Sequence, residues 1–440
     1  MSYIFTIILS VIAWRMPLFG LGLFMLLQTP LQNVVGPYVI DWLDSLVLIL
    51  SISKLLAICF RRPGRMQLST VEIFALVLSI VVFSRHAEIA PVIAPSVIVT
   101  WLSKAFLWGP LLVALNRLTE REMDNLRLWI YFAGIIVGIW GFLIYVTGNP
   151  YFLRTGIWGR AYVDDVTKVY VNNDAETLVK HRFIVMGLFT VVPSAYWYTM
   201  RRLFDQTKQH WILKLLNAFG IVSIIVSVGV SVTRSLIMQL SLGTFLMLIY
   251  LALSRQLSRG LLFSLIALTC IIGVCIFMLD FSALIEYSND RFSNLGTDES
   301  AIIRISNTVA EWTYLKKNVC IFGVAGPNPS VTCGGSVDSA VFLYIWVWYG
   351  LPGALIFTTL FISALSGLVK SWMMQRVTQS QDLLRIMLTA WAIYYVYIWI
   401  VGYSLHAPEI FFTMLFLSEI DRVNGKSKEL PSPYQQRSAA

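Results

Sequence analysis

Tyr287–Gly353 reads YSNDRFSNLGTDESAIIRISNTVAEWTYLKKNVCIFGVAGPNPSVTCGGSVDSAVFLYIWVWYGLPG, and the part before Asp338 is the longest polar interval in an otherwise apolar chain. Thr297 can cap a helix whose first turn carries Asp298 and Glu299, where acids suit the positive end of the helix dipole. Ile302, Ile305, Val309 and Trp312 then recur at helical spacing, Arg304, Asn307 and Glu311 fall largely on the other face, and Lys316 and Lys317 close the helix. A loop rich in Gly and Pro follows (Gly323, Gly326, Pro327, Pro329, Gly334, Gly335) before an apolar run opens at Asp338. A long loop that carries its own amphipathic helix is usually functional rather than connective.

Outward from this stretch, the chain is far from a soluble composition. Of its 440 residues 57% are hydrophobic and 13% charged, and several windows long enough to cross a bilayer are nearly free of charge. The reading is an all-α, polytopic integral membrane protein with about 12 transmembrane helices, at roughly 3–27, 43–60, 68–84, 96–116, 127–147, 183–200, 211–229, 235–253, 260–280, 338–369, 383–402 and 406–420. Arg15 and Pro17 interrupt the first, which can be two short pieces; it lacks a small-residue cleavage site and reads as a retained span. Organisation follows: N-terminal spans over 1–147, a loop at 148–182, central spans over 183–280, the large loop at 281–337, C-terminal spans over 338–420, and a polar tail at 421–440.

Every second loop is basic. Arg61, Arg62 and Arg65 follow span two; Arg117, Arg121 and Arg127 follow span four; Arg201, Arg202 and Lys208 follow span six; Arg255 and Arg259 follow span eight. The positive-inside rule then puts both termini in the cytoplasm and the two long loops on the outer face. It also accounts for the net charge of +9 without nucleic acid. There is no P-loop, dinucleotide fingerprint, CxxC or HExxH, and no convincing metal cluster among four scattered histidines, so neither cofactor nor metal is expected.

Long outer loops escape the positive-inside bias, so their basic residues need another account. The first carries Arg154, Arg160, Lys168, Lys180, His181 and Arg182; the turn SVTRSL holds Arg234 near the interface; the large loop adds Arg291 and Arg304. Guanidinium forks grip a phosphate or diphosphate through paired hydrogen bonds. The plainer alternative is that they snorkel to lipid headgroups or pair with Asp164, Asp165, Asp290 and Glu299. Arg234, in a tight turn between two apolar helices, favours function, because a charge at membrane depth is costly and usually has a partner.

These pieces resemble the bacterial O-antigen polymerase and ligase superfamily, which includes Wzy-type polysaccharide polymerases and WaaL-type O-antigen ligases. The matching residues are Arg182 heading span six, the turn Thr233-Arg234-Ser235, Arg304 in the loop helix, the Gly323–Gly326 segment, and Asp338–Gly353 entering span ten. The ligases carry a histidine near the end of the large loop; here that stretch, GGSVDSAVF, has Asp338 instead, which favours a polymerase. His406 is the other outer histidine placed to substitute, and a helix-end structural role is its alternative.

The resemblance implies glycosyl transfer at the periplasmic face of the bacterial inner membrane, from one undecaprenyl-diphosphate-linked glycan to the non-reducing sugar of another. Partners would be those glycan lipids and the lipid bilayer, with a chain-length regulator protein as a candidate. Arg234 and Arg304 would stabilise the leaving diphosphate, and Asp338 would serve the acceptor hydroxyl, unless it merely caps span ten. Arg182, His181, Arg291, Arg160 and His406 would contact substrate. A ligase acting on lipid A-core, or a transporter for an anionic lipid-linked substrate, are the competing expectations.

The same loop yields a first prediction. Cys320 and Cys333, 13 positions apart in a loop read as periplasmic, should form a disulfide. Closing a loop of that length stabilises by about 3 kcal/mol in the chain-entropy model. Thiol labelling of the unreduced, native protein should modify neither cysteine; modification of both rules the bridge out.

Overall fold

The computed structural model describes residues 2–31, 35, 38–40, 42–61, 68–89, 94–147, 191–204, 211–231, 234–253, 299–318, 321, 340–373, 379–401 and 407–423. Among these residues the secondary structure is helical, with no strand. In order the helices are α1 (Ser2–Arg15), α2 (Pro17–Leu27), α3 (Leu43–Arg61), α4 (Thr70–Ile89), α5 (Pro95–Phe106), α6 (Gly109–Asn116), α7 (Glu120–Thr147), α8 (Val191–Phe204), α9 (Trp211–Ser231), α10 (Arg234–Leu253), α11 (Glu299–Asn318), α12 (Val341–Met373), α13 (Gln379–Val401) and α14 (Ala407–Val423).

Three of them, over Leu43–Arg61, Glu120–Leu143 and Val341–Trp372, are long and apolar enough to cross a bilayer, and the bent pair α5–α6 makes a fourth if taken as one span. The chain is an all-α membrane protein on that basis. The expected span at 260–280 and both long outer loops, apart from α11 and Ile321, lie outside the described residues.

Local chemistry sets the breaks. Met16 leaves the helical region (φ −124°, ψ 75°), and Pro17 restarts the chain at the first position of α2, so the first span is two pieces. α5 and α6 meet at 51°. Pro110 cannot continue the preceding helix, because it lacks an N–H and its ring would strike the Phe106 carbonyl. The bend presses Gly109 against α4, where its N–H donates to Ser79 Oγ at 2.7 Å. α7 starts a full two turns before the expected 127, because Thr119 and Glu122 form a capping box: Thr119 N–H donates to Glu122 Oε2 (2.8 Å) and Glu122 N–H to Thr119 Oγ1 (3.3 Å). Ser69 and Glu72 cap α4 the same way.

Helix directions follow from packing. Gly138 and Gly141 of α7 let α9 approach at Ser223 and Ser227, so the two run parallel; a Cβ on Gly138 would sit 2.7 Å from the Ser223 carbonyl carbon. α10 starts at Arg234 and returns antiparallel, because Thr244, ten residues in, meets Tyr196 of α8 at the level where Ala195 and Ile224 flank Gly134. Gly353 lies beside Val81, and Phe357, one turn later, meets Trp108, whose neighbour Gly109 packs on Leu76, so α12 runs against α4.

These directions define two ends of the bundle. At one end, α4 and α7 begin and α6, α8 and α14 finish, held by buried charge. Arg127 donates to Glu419 twice, Nε to Oε1 at 2.9 Å and Nη2 to Oε2 at 2.7 Å, and to Asp124 Oδ1 at 2.7 Å. The Tyr198 hydroxyl donates to Glu419 Oε1 at 2.9 Å. Beside this, Arg117 forks onto Glu72 (2.7 and 3.2 Å), while Asn116 bridges Glu72 and Asp421, at 3.1 Å each. Arg422 reaches Glu120 and the carbonyls of Leu115 and Leu118 at and just beyond the end of α6. One short helix end, Glu419–Arg422, thus clamps four others.

Truncating one side of the Arg127–Glu419 pair leaves its partner buried and uncompensated, which costs about 3–5 kcal/mol. Glu419→Ala should therefore lower the thermal midpoint in detergent sharply, while Arg127→Met with Glu419→Leu should lose much less than the two single changes together. Additive losses would show that the pair is not coupled.

Candidate functional site

The opposite end gathers the start of α10, the loop helix α11, the first turns of α12, the end of α13 and the start of α14. Arg234 is the first residue of α10 and Arg304 lies in the second turn of α11, so both backbones come to this end. Nothing is described of their side chains. Arg160, His181, Arg182, Arg291, Asp338 and His406 lie outside the described residues, as do Cys320 and Cys333.

α11 spans Glu299–Asn318, where the capping and periodicity arguments placed a helix. It seats on α12 through Leu315, which packs on Leu343 and Val347, and through Trp312, edge-on to Trp346 with ring centroids 6.4 Å apart. Its orientation is the reverse of a soluble amphipathic helix. The buried residue of the polar face is Glu311, 5% exposed, whereas Ile302, Ile305, Val309 and Trp312 are 54%, 66%, 57% and 42% exposed. Arg304 precedes Glu311 by two turns and occupies the same register.

The segment after α11 meets an irregularity in α12. Gly350 adopts φ 75°, ψ 176°, a conformation open to glycine because it has no Cβ. With Pro352 two residues on, the helix cannot run through without a break. The freed N–H of Leu351 donates instead to the carbonyl of Ile321, at 3.0 Å. A backbone bond therefore ties the segment after α11 into a membrane-spanning helix, at a depth where an unsatisfied amide would be costly.

Carboxylates and tyrosines cluster here. Glu311 from α11 and Glu409 from α14 both act electrostatically on Tyr344 of α12, and Glu409 acts also on Tyr395 of α13. The Tyr395 hydroxyl lies 3.3 Å from Thr413 Oγ1, which donates to the Glu409 carbonyl at 2.7 Å. Four separate helices thus contribute oxygen-bearing side chains to this end of the bundle. Of these groups, the sequence marked Glu311 only as polar-face, and Glu409 and Tyr344 went unremarked. A lone acid in the run AlaProGluIle, at the head of an apolar helix, was the available signal for Glu409. Among the described residues no three His, Cys, Asp or Glu side chains group as metal ligands do.

Gln239, a little over one turn into α10, is 4% exposed, and neither of its amide atoms has a hydrogen-bond partner among the described residues. One turn on, Gly243 fits α10 against Trp197 and Ala390. A buried amide left unsatisfied costs about 1–3 kcal/mol. Gln239→Leu should accordingly raise the thermal midpoint in detergent; a lower midpoint would show that the amide is satisfied in the native membrane protein.

No protein-family model, no curated protein and no solved structure matches this chain.

Proposed function

We propose that the chain is a glycosyltransferase that polymerises undecaprenyl-diphosphate-linked repeat units at the periplasmic face of the bacterial inner membrane. On this reading it has about twelve spans, both termini are cytoplasmic, and the buried ionic clamp marks the cytoplasmic end. Supporting it most is the gathering, at the end opposite the clamp, of the two helices that carry Arg234 and Arg304 together with the acid- and tyrosine-bearing ends of α12, α13 and α14.

The chemistry needs little else. An acceptor hydroxyl attacks the anomeric carbon of the donor sugar, the bond from that carbon to the diphosphate oxygen breaks, and its electron pair leaves on undecaprenyl diphosphate. Arg234 and Arg304 stabilise that developing charge, with Arg182, Arg160 and Arg291 gripping the lipid-linked substrate. Asp338 accepts the hydroxyl proton, and His181 and His406 line the acceptor side. A carboxylate with an ordinary pKa near 4 is a weak base, so it helps chiefly when the leaving bond is largely broken. Energy comes from the diphosphate linkage, so no nucleotide is consumed outside the cytoplasm.

One observation favours a second reading. The break at Gly350 is the sort of discontinuous span on which transporters build substrate sites. Radiolabelled lipid-linked repeat units supplied to the protein in detergent separate the two: a polymerase lengthens the glycan without a membrane gradient, and a transporter leaves it unchanged. Supplying lipid A-core as acceptor separates a polymerase from a ligase.

In that assay Arg234→Ala should reduce turnover by about 100-fold, the usual scale for losing a preorganised donor at a developing charge. Arg234→Lys should recover little, because the fork geometry is gone. Asp338→Asn should lose elongation while keeping stability, since asparagine caps a helix nearly as well as aspartate. Elongation at the parental rate by Asp338→Asn would leave Asp338 a cap and turn attention to His406 or His181.

A further inference from the structure

The exposed apolar stripe of α11 is unexplained by anything above. With residues turning about 100° apiece, α11 divides into three sectors. Glu311 and Leu315 are buried against the bundle, flanked by the half-buried Asn307, Thr308 and Tyr314. Ile302, Ile305, Val309 and Trp312 form a continuous exposed apolar row. Between the two, Ser306, Ala310, Thr313 and Lys317 form an exposed, mostly polar edge. A helix in water has no use for three sectors. One lying along a membrane surface beside a protein has a distinct neighbour for each: protein, hydrocarbon and water.

We propose that α11 is an interfacial helix whose Ile302–Ile305–Val309–Trp312 row is seated in the acyl–headgroup boundary of an anionic bilayer. Position agrees, because α11 packs on the first turns of α12, the end of a helix long and apolar enough to span the membrane. Composition agrees as well. Trp312 is the residue type that collects at membrane interfaces. Lys316, in line with the apolar row, lies over the Trp312 ring at 5.2 Å and carries its ammonium at the helix end, where it can rise to lipid phosphates. Lys317 adds a second exposed positive charge. Helices of this kind sink about 5–10 Å into the boundary region.

The consequence is an anchor that works from the outside. Lipid holds the apolar row while the Leu351–Ile321 backbone bond holds the following segment, and between them the polar face bearing Asn307 and Glu311 is kept turned toward the bundle. The inference requires a membrane protein and is independent of the reaction catalysed.

The test needs no substrate. A fluorescent amino acid is placed by codon suppression at 305 or 309, and as a control at 317, in the full chain reconstituted into phosphatidylcholine–phosphatidylglycerol vesicles. With brominated acyl chains, emission at 305 and 309 should be strongly quenched and emission at 317 largely spared, whereas aqueous iodide should quench only 317. Quenching of 305 and 309 by iodide would overturn the proposal by showing the row in water. Protection from both quenchers would overturn it too, since a second copy of the chain would then cover the row. Correct reconstitution is checked at Ile362, an exposed position on α12, where bromine should quench in every outcome.

Discussion

The bundle depends on a few charges buried where they can satisfy one another. Apolar packing cannot by itself specify how helices associate in a membrane, because lipid tails are as apolar as the side chains they would replace. The Arg127–Glu419 fork, with Tyr198 on the same carboxylate, supplies the missing specificity. It fixes which face of α14 meets α7 and α8, while the Glu72–Asn116–Asp421 bridge fixes α4 and α6 against the same helix end. Elsewhere the contacts are the permissive kind, such as Gly138 against Ser223 and the edge-on and tilted aromatic cluster of Phe361, Tyr395 and Phe416.

That clamp leaves the other end free to carry irregular structure. There α12 breaks at Gly350, a loop carbonyl replaces its missing helical partner, and α11 turns a carboxylate inward and its hydrocarbon outward. Each feature would be a fault in a soluble helix bundle. Together they set a loop helix and the ends of four other helices at the end opposite the clamp.

Much of this was legible in the residues. The charge-free windows located most of the described helices within a few positions, and the Thr297, Asp298, Glu299 start with Lys316 and Lys317 at the close located α11. What the residues did not declare was tertiary. Arg127 counted as a loop-facing charge under the positive-inside rule, yet it is buried, because its partner Glu419 comes from nearly three hundred residues away. The apolar row of α11 was readable as one face of an amphipathic helix, but spacing cannot say whether that face is buried or, as found, exposed. The break in α12 at Gly350 was not read from the residues, and the acceptor of the orphaned Leu351 amide, Ile321, is visible only in three dimensions. The proposed arginine site was readable only as residue types: Arg234 and Arg304 fall on described helices, while Arg160, Arg182 and Arg291 lie outside the described residues.

The central claim is that the reacting diphosphate is held at the rim opposite the ionic clamp. Electron cryomicroscopy of the full chain in nanodiscs, with an undecaprenyl-diphosphate-linked repeat unit bound, tests it most directly. The account predicts diphosphate density between the start of α10 at Arg234 and the face of α11 that carries Arg304, with the sugar reaching toward Glu311 and the mouth of α12. Diphosphate density deep in the bundle beside the Gly350 break, away from both arginines, would contradict it and give the site to a transporter.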